Sequence, residues 1–318
     1  IGNNHSTLQS QQQTYQNLVK ILDEEEVFEN VDKYFVLNRI TNSTLNNKLK
    51  DELNSRKIKY LEIAYDKEVY RKIGYDLKNI PNPDVWFKDF DAWNRLVMNV
   101  EIRESKNRYL INNNGARNFS LKNGRRKHEW IMPWDGNCFI TKSEFKKITD
   151  KMESSGDFKY ILTPMERITD NKLVNKQSVI SNAVEEPQIT FRYDAIEEFN
   201  EDRVYGNQPK VELFKRLGIE GKWDGWTKLS PWIDLKYSNS SEAGLFEESG
   251  ATFRLSSGKT EAVTKASQRN ILRKQAIINY VDESEAVILK ENLNIVGFSD
   301  SFPDGLKGFI GNSEIRKI

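Results

Sequence analysis

Cysteine and histidine are almost missing from these 318 residues: Cys138 is the lone thiol, and His5 and His128 are the two imidazoles. One cysteine excludes an intrachain disulfide framework and any multi-cysteine zinc site, and two histidines exclude a multi-histidine metal centre. An excess of either charge is missing too. Lys plus Arg number 48 and Asp plus Glu 47, a formal net charge of +1, so no global field draws the chain onto DNA or an anionic membrane. No apolar run reaches membrane-spanning length, and there is no signal-peptide pattern. Chemistry in this chain therefore has to rest on carboxylates, amides, arginines and backbone groups. Aromatic residues are plentiful: 16 Phe, 12 Tyr and 7 Trp supply core material although mean hydropathy is −0.70. That composition excludes a disordered chain and a collagen.

The chain opens at Ile1 without a methionine, as expected of a trimmed chain, a mature form or a domain cut from a longer protein, and Gly2 to Asn17 is rich in Asn, Gln and Ser. Residues 1–17 read as a flexible lead-in. From Tyr15 to Val31, Leu18, Ile21, Leu22 and Phe28 recur at near-helical spacing, which predicts a helix. Lys33 to Asn38 is short, apolar and β-rich. Leu45, Leu49 and Leu53 then mark a helix over 44–56, and Lys59 to Tyr65 reads as the next strand. Strand, helix, strand is a βαβ unit, which favours a parallel sheet flanked by helices. Further along, 84–100 reads as helical. Asn112 to Asn118 is turn-rich and leads into a short helix ending near Leu121. An apolar strand over 129–140 follows a basic bend at 122–128. Then come a helix over 143–152, a strand from Lys159 that stops at Pro164, a strand over 186–192, and a short helix over 210–217 closed by Gly218. The longest helical signal runs from Thr260 to Val281, with Ile271, Leu272, Ile277 and Ile278 set against Arg269, Arg273 and Lys274.

The apolar strand over 129–140 carries the acidic turn Asp135-Gly136-Asn137. Two oxygen donors two residues apart suit a hard divalent cation, with Gly136 letting the backbone come close. Mg2+ or Mn2+ held by Asp135 and Asn137 completes its shell with waters and substrate phosphates, and a diphosphate is the natural third party. Arg117 and the bend Arg125-Arg126-Lys127 stand upstream to receive the negative charge of a leaving diphosphate. The Gly115-Ala116 turn opens a helix whose N–H groups favour an anion. The plain alternatives are an ordinary Asp-Gly-Asn turn, a solvated basic loop, and Arg117 paired with a structural carboxylate.

The run Asn114-Gly115-Ala116-Arg117-Asn118, about twenty residues before Trp130-Ile131-Met132-Pro133-Trp134-Asp135-Gly136-Asn137, resembles the nucleotide-sugar half of GT-A fold glycosyltransferases. The resemblance covers roughly residues 33–165. It implies that Gly115, Arg117 and Asn118 lie near the donor nucleotide. Asp135 and Asn137 then stand at the Asp-x-Asp motif that holds the metal and the donor diphosphate. Asn137 departs from the second acid of that motif. Asn38 and Arg39 fall at the end of the first strand, which in such enzymes faces the nucleotide. Asp66, just beyond the second strand, falls where a nucleobase or ribose contact is expected.

On the acceptor side, an inverting transfer needs a carboxylate to take the acceptor hydroxyl's proton. Asp194, Glu185 and Glu186 flank the strand over 187–192, and Asp194, following that strand, is the preferred base. A retaining transfer needs none. Trp223, Trp226, Trp232 and Trp134 offer faces for stacking sugar rings. Arg192, Arg203 and Lys210 suit an anionic acceptor, and Cys138 reads as a small buried residue.

These readings amount to an α/β fold, GT-A-like and Rossmann-like, with a mainly parallel mixed sheet and a helical C-terminal extension. The expected domains are a transferase domain over 18–240 and an extension over 241–318. Within the first, 33–165 is the nucleotide-sugar half and 166–240 the acceptor half. The expected activity moves a sugar from a nucleotide-sugar donor to a carbohydrate acceptor, with Mg2+ or Mn2+ and without nucleic acid or a membrane segment. The expected setting is a soluble domain, cytoplasmic or Golgi-lumenal. The rivals are a non-catalytic carbohydrate-binding module and a sugar nucleotidyltransferase. The latter lacks its Gly-rich phosphate loop here.

Overall fold

A computed structural model describes residues 8–77, 91–206, 209–221, 237–257 and 266–295. The chain divides into a compact unit over 1–281 and a second over 282–318. Both sheets and the large cavity belong to the first unit. Trp223, Trp226 and Trp232 lie outside the described residues.

Helix α1 spans Leu8–Glu24, earlier than the 15–31 the pattern predicts, so half of the expected lead-in is helical. Leu18 and Ile21 turn inward from it. Strand β1 (Tyr34–Asn38), helix α2 (Ser43–Ser55) and strand β2 (Lys59–Ile63) follow as expected. Asn42 caps α2 by accepting from the Leu45 N–H at 2.8 Å. Leu49 and Leu53 are fully buried beneath it, each contributing about 1.5–3 kcal/mol of apolar transfer. β1 and β2 pair in parallel over five residues. A short helix α3 (Lys67–Arg71), α4 (Ala92–Ile102) and α5 (Glu104–Leu110) lead to α6, which spans Asn113–Gly124. The stretch 113–118, read as a loop from its asparagines, is the first turn and a half of this helix, because Asn112 supplies the cap.

The central sheet is mixed. Strands β3 (Trp130–Ile131), β4 (Cys138–Phe139), β5 (Tyr160–Arg167), β6 (Glu185–Arg192), β7 (Phe246–Glu248) and β8 (Thr252–Arg254) lie in the order β3-β6-β5-β8-β4, with β7 also on β5. Helix α7 (Lys142–Glu153), capped by Thr141, sits between β4 and β5 in sequence. The expectation of a mainly parallel sheet is corrected. β5/β7 and β5/β8 are parallel, but β3/β6, β4/β8 and the long β5/β6 pair are antiparallel, and β1/β2 form a sheet of their own. The link from β5 to β6 holds one 3-10 turn at Asn171–Leu173 and no crossover helix, and the strand returns antiparallel. β5 also runs through Pro164, where the register with β6 shifts and no ladder donor is required of the proline.

Side chains alternate across this sheet. Tyr160, Leu162, Ile189 and Phe191 pack with Leu121 of α6 and with Leu213 and Phe214 of α8 (Val211–Arg216). Ile161 faces the other way, to Phe145 and Ile148 of α7. A third cluster joins α1, α2 and β1 to Phe139 of β4 and Phe253 of β8. Residues 246–254 are therefore part of the sheet, and the α/β body does not end at 240. The last helix, α9 (Ala266–Ile295), buries Ile277 and Tyr280, and the Tyr280 hydroxyl bonds Thr41 Oγ1 at 2.7 Å. Ile277 packs on Gly206, whose φ of +94° and lack of a side chain both demand glycine. No helix among the described residues is long and apolar enough to cross a membrane.

Candidate functional site

Three elements meet over one cavity of about 1160 Å³: the C-terminal end of β1, the start of α6, and the open stretch 132–137 between β3 and β4. One end of the cavity is aromatic, with Phe28, Trp130, Met132 and Trp134 packed toward the α7 cluster. The other end is cationic: Arg117, Arg167, Arg254, Arg269 and Arg273 line it beside the carboxylates of Asp135 and Glu186.

Asp135 is the hub of the polar end. Its Oδ1 accepts from Arg117 Nη2 at 2.6 Å, and its Oδ2 accepts from Gln188 Nε2 at 3.2 Å. The Gln188 amide also accepts from the Asp135 N–H at 3.2 Å, so the turn is gripped from both sides. Lys210, 1% exposed, brings its Nζ to 3.5 Å from both Asp135 and Glu186 and donates to the Pro187 carbonyl. Burial opposes a charge on Asp135, but Arg117 and Lys210 outweigh it and hold the carboxyl well below the usual carboxylate range. Arg117 is itself buried. Its Nη1 donates to Asn114 Oδ1 at 2.7 Å and its guanidinium lies over the Phe199 ring.

These residues do not fit a divalent cation. The Asp135 carboxylate is already held by a guanidinium and an amide, with an ammonium beside it. The Asn137 side chain does not turn into the cavity as a ligand: its Nδ2 donates to the Leu255 carbonyl at 2.9 Å and to Ser257 Oγ at 3.1 Å, tying the turn to the end of β8. Among the described residues no three His, Cys, Asp or Glu side chains come together as a metal cluster. A cation placed here would sit among arginines. Both side chains expected to ligate a metal, Asp135 and Asn137, are here engaged by protein groups.

Several expected contacts change role. Gly115 does not line the cavity: its N–H donates to Asn112 Oδ1 at 2.7 Å, so the helix start is closed by its own cap rather than open to an anion. Asn118 holds the loop 199–201, donating to the Phe199 carbonyl and Glu201 Oε1 and accepting from the Phe199 N–H. Asp66 caps α3 through the Glu68 and Val69 N–H groups and is not at the cavity wall. Arg39 stacks on Tyr109, 4.9 Å from its ring centre, away from the wall. Asp194, the preferred base, is gripped by Arg192 through both carboxylate oxygens, at 2.6 and 3.0 Å, outside the cavity. Glu185 forms a two-pronged pair with Arg167 at 2.9 and 2.5 Å. Of the basic bend, Arg125 clamps the Ala195 and Glu197 carbonyls and Glu198, while Lys127 and His128 reach the wall.

Asn38, Arg117, Trp134, Asp135, Asn137 and Glu186 do meet at the cavity. Asn38 is buried at the end of β1 and donates to the Asn112 carbonyl at 3.0 Å. Cys138 is buried, and burial pushes its thiol up, so it is no nucleophile at neutral pH. The sequence pattern did not single out Gln188, Arg167 or Arg254 as site residues. Arg269 and Arg273 stood in plain view as the polar face of the last helix, and their spacing of four puts both on one side. Comparison of the chain with protein-family models, with curated proteins and with solved structures found no match in any of the three.

Proposed function

We propose that the chain is a glycosyltransferase of GT-A type that moves a sugar from a nucleotide-sugar donor to a carbohydrate acceptor. The observation that carries this reading is the cavity with an arginine-rich end and an aromatic end, built where β1, the start of α6 and the 130–138 segment converge. Those are the elements on which the sequence resemblance rests. A nucleotide sugar is a doubly charged diphosphate joined to a ring with apolar C–H faces. The two ends of the cavity match those two parts.

In this reading Arg117, Arg254 and Arg269 bear the charge of the departing diphosphate, where guanidinium forks suit phosphate oxygens. Trp134 and Trp130 receive the sugar face. Glu186, fixed by Lys210 at 3.5 Å, is the carboxylate of the expected trio that lines the cavity, and it stands as the base for an inverting transfer. The non-catalytic alternative has one observation in its favour: Asp135, Glu185 and Glu186 are all ion-paired.

A screen of UDP-, GDP- and CDP-sugars with oligosaccharide acceptors tests the proposal through release of nucleoside diphosphate. Turnover with one base, lost in Glu186→Gln and Arg254→Gln, is the expected result. Oligosaccharide binding with no nucleotide binding and no release overturns it in favour of the binding module.

A further inference from the structure

Resting on the nucleotide-sugar reading, we infer that this site takes the donor diphosphate directly on arginine side chains, without a divalent cation, and that Asp135 positions Arg117 in place of ligating a metal.

Three observations support this. The first is charge. Arg117, Arg167, Arg254, Arg269 and Arg273 line the polar end, and Lys210 stands immediately behind it. Against them are Asp135, Glu185 and Glu186. Over the whole cavity wall nine Lys or Arg face seven Asp or Glu, an excess of two that matches the charge of a diphosphate diester. A metal-dependent site has the opposite sign: its carboxylates are in excess, and the metal reverses the field so that phosphate can approach. Here the field already favours the anion.

The second is engagement. The acid of the Asp-Gly-Asn turn is bonded to Arg117, and the amide of the same turn is bonded to Leu255 and Ser257. Both groups that would ligate a cation therefore hold protein in place. Arg117 in turn keeps one donor, its buried Nε–H, with no acceptor among the described residues.

The third is origin. The arginines come from four separated places: α6, the C-terminal ends of β5 and β8, and α9. Arg167 and Arg254 are brought side by side by the parallel register of β5 and β8, which pairs these two residues directly. Both reach Glu185, Arg254 at 3.8 Å, so a single carboxylate fixes two guanidinium groups. Arg273 carries its guanidinium over Tyr205, another residue of the wall. Guanidinium groups fixed in this way form a preorganised clamp, and they match phosphate oxygens in pairs where an ammonium gives a point contact.

The test is calorimetric titration of the full chain with UDP, GDP and CDP, once in EDTA and once in MnCl2. The expected result is binding of one nucleotide with an affinity that agrees within about twofold between the two buffers. It should fall about five- to tenfold in Arg269→Gln, a half-exposed position on α9 where the substitution leaves the core untouched. Circular dichroism checks that the variant keeps its fold. A gain of tenfold or more with Mn2+, abolished in Asp135→Asn, overturns metal independence and leaves the transferase reading standing. No nucleotide binding in either buffer overturns both.

Discussion

The Arg117 guanidinium donates to the Asp135 carboxylate at 2.6 Å, joining the second turn of α6 to a turn eighteen residues later. The pair is the pin on which the polar end of the cavity is assembled. Asp135→Asn keeps the shape and removes the charge, leaving Arg117 and Lys210 buried with their mutual repulsion. Breaking such a pair should lower stability by roughly 2–3 kcal/mol, read as a shift of the urea midpoint without a change in slope. A variant as stable as the parent would mean that the pair contributes nothing.

The same pair has a defined pH signature. Asp135 titrates lower in the folded chain than in the unfolded one, so its stabilisation is complete above the ordinary Asp range and fades as pH falls toward the folded value. The stability gap between the parent and Asp135→Asn should therefore stay constant from about pH 5 upward and close below about pH 4. A gap that closes near neutrality would point to a different group.

Glu25 offers the opposite sign. Burial raises its carboxyl above the usual range, with Lys33 only partly opposing, and its side chain accepts from the Ile140 N–H at 3.0 Å. A raised carboxyl costs stability at neutral pH, and the cost disappears as pH falls through the raised value. Glu25→Gln keeps an acceptor for Ile140. It should raise Tm relative to the parent at about pH 7.5, with the difference shrinking by about pH 5. Thermal unfolding at the two pH values decides it.

Gly115 and Asn112 are coupled. A Cβ on Gly115 would fall 2.3 Å from Asn112 Nδ2 and would push the cap aside. Helix propensity favours alanine over glycine by about 1 kcal/mol, and loss of the cap costs about as much or more. Gly115→Ala should therefore be neutral to destabilising in the parent and clearly stabilising in an Asn112→Ala background. The double-mutant cycle reports the coupling as that difference, roughly 1 kcal/mol.

Asn118 makes three hydrogen bonds to residues 199 and 201, at 2.8 to 2.9 Å. Asn118→Ala leaves the Phe199 N–H and carbonyl buried without their partner. A loss of roughly 2–3 kcal/mol follows, together with faster proteolysis within the 195–206 segment. Unchanged protease resistance would count against this role.

The βαβ opening was legible because its signals are local: Leu45, Leu49 and Leu53 state a helix, and the runs around Phe35 and Leu61 state strands. The 115–118 segment misled because asparagine and glycine favour turns, and the same asparagines also cap helices. Which of the two they do depends on the partner that Asn112 finds three residues on. Pro164 misled because a proline ends a strand only where its missing N–H is needed, and the register shift removes that need. At the site, the arginine and acidic turn could be read from their spacing, whereas Glu186 was one of three candidate acids and Asp194 the preferred one. The pairing of arginine and turn could not be read, since whether Asp135 meets a metal or Arg117 is set by how α6 lies across the turn. Arg167 and Arg254 are neighbours only through the β5/β8 register, a contact between residues 87 apart in sequence.

That register has a temporal consequence. β8 lies between β5 and β4, so β4 finds its only partner among the described residues after residue 254 has been made. On a ribosome, β4 and the free flank of β5 wait through more than eighty residues of synthesis with their backbone groups paired to water. Helix α7, from the earlier part of the chain, covers the Ile161 face of β5 and leaves that edge open. The order of synthesis also means that the arginine clamp closes last. A nascent chain carries Arg117 and Asp135 long before Arg254 and Arg269, so the proposed diphosphate clamp is complete only once α9 has docked.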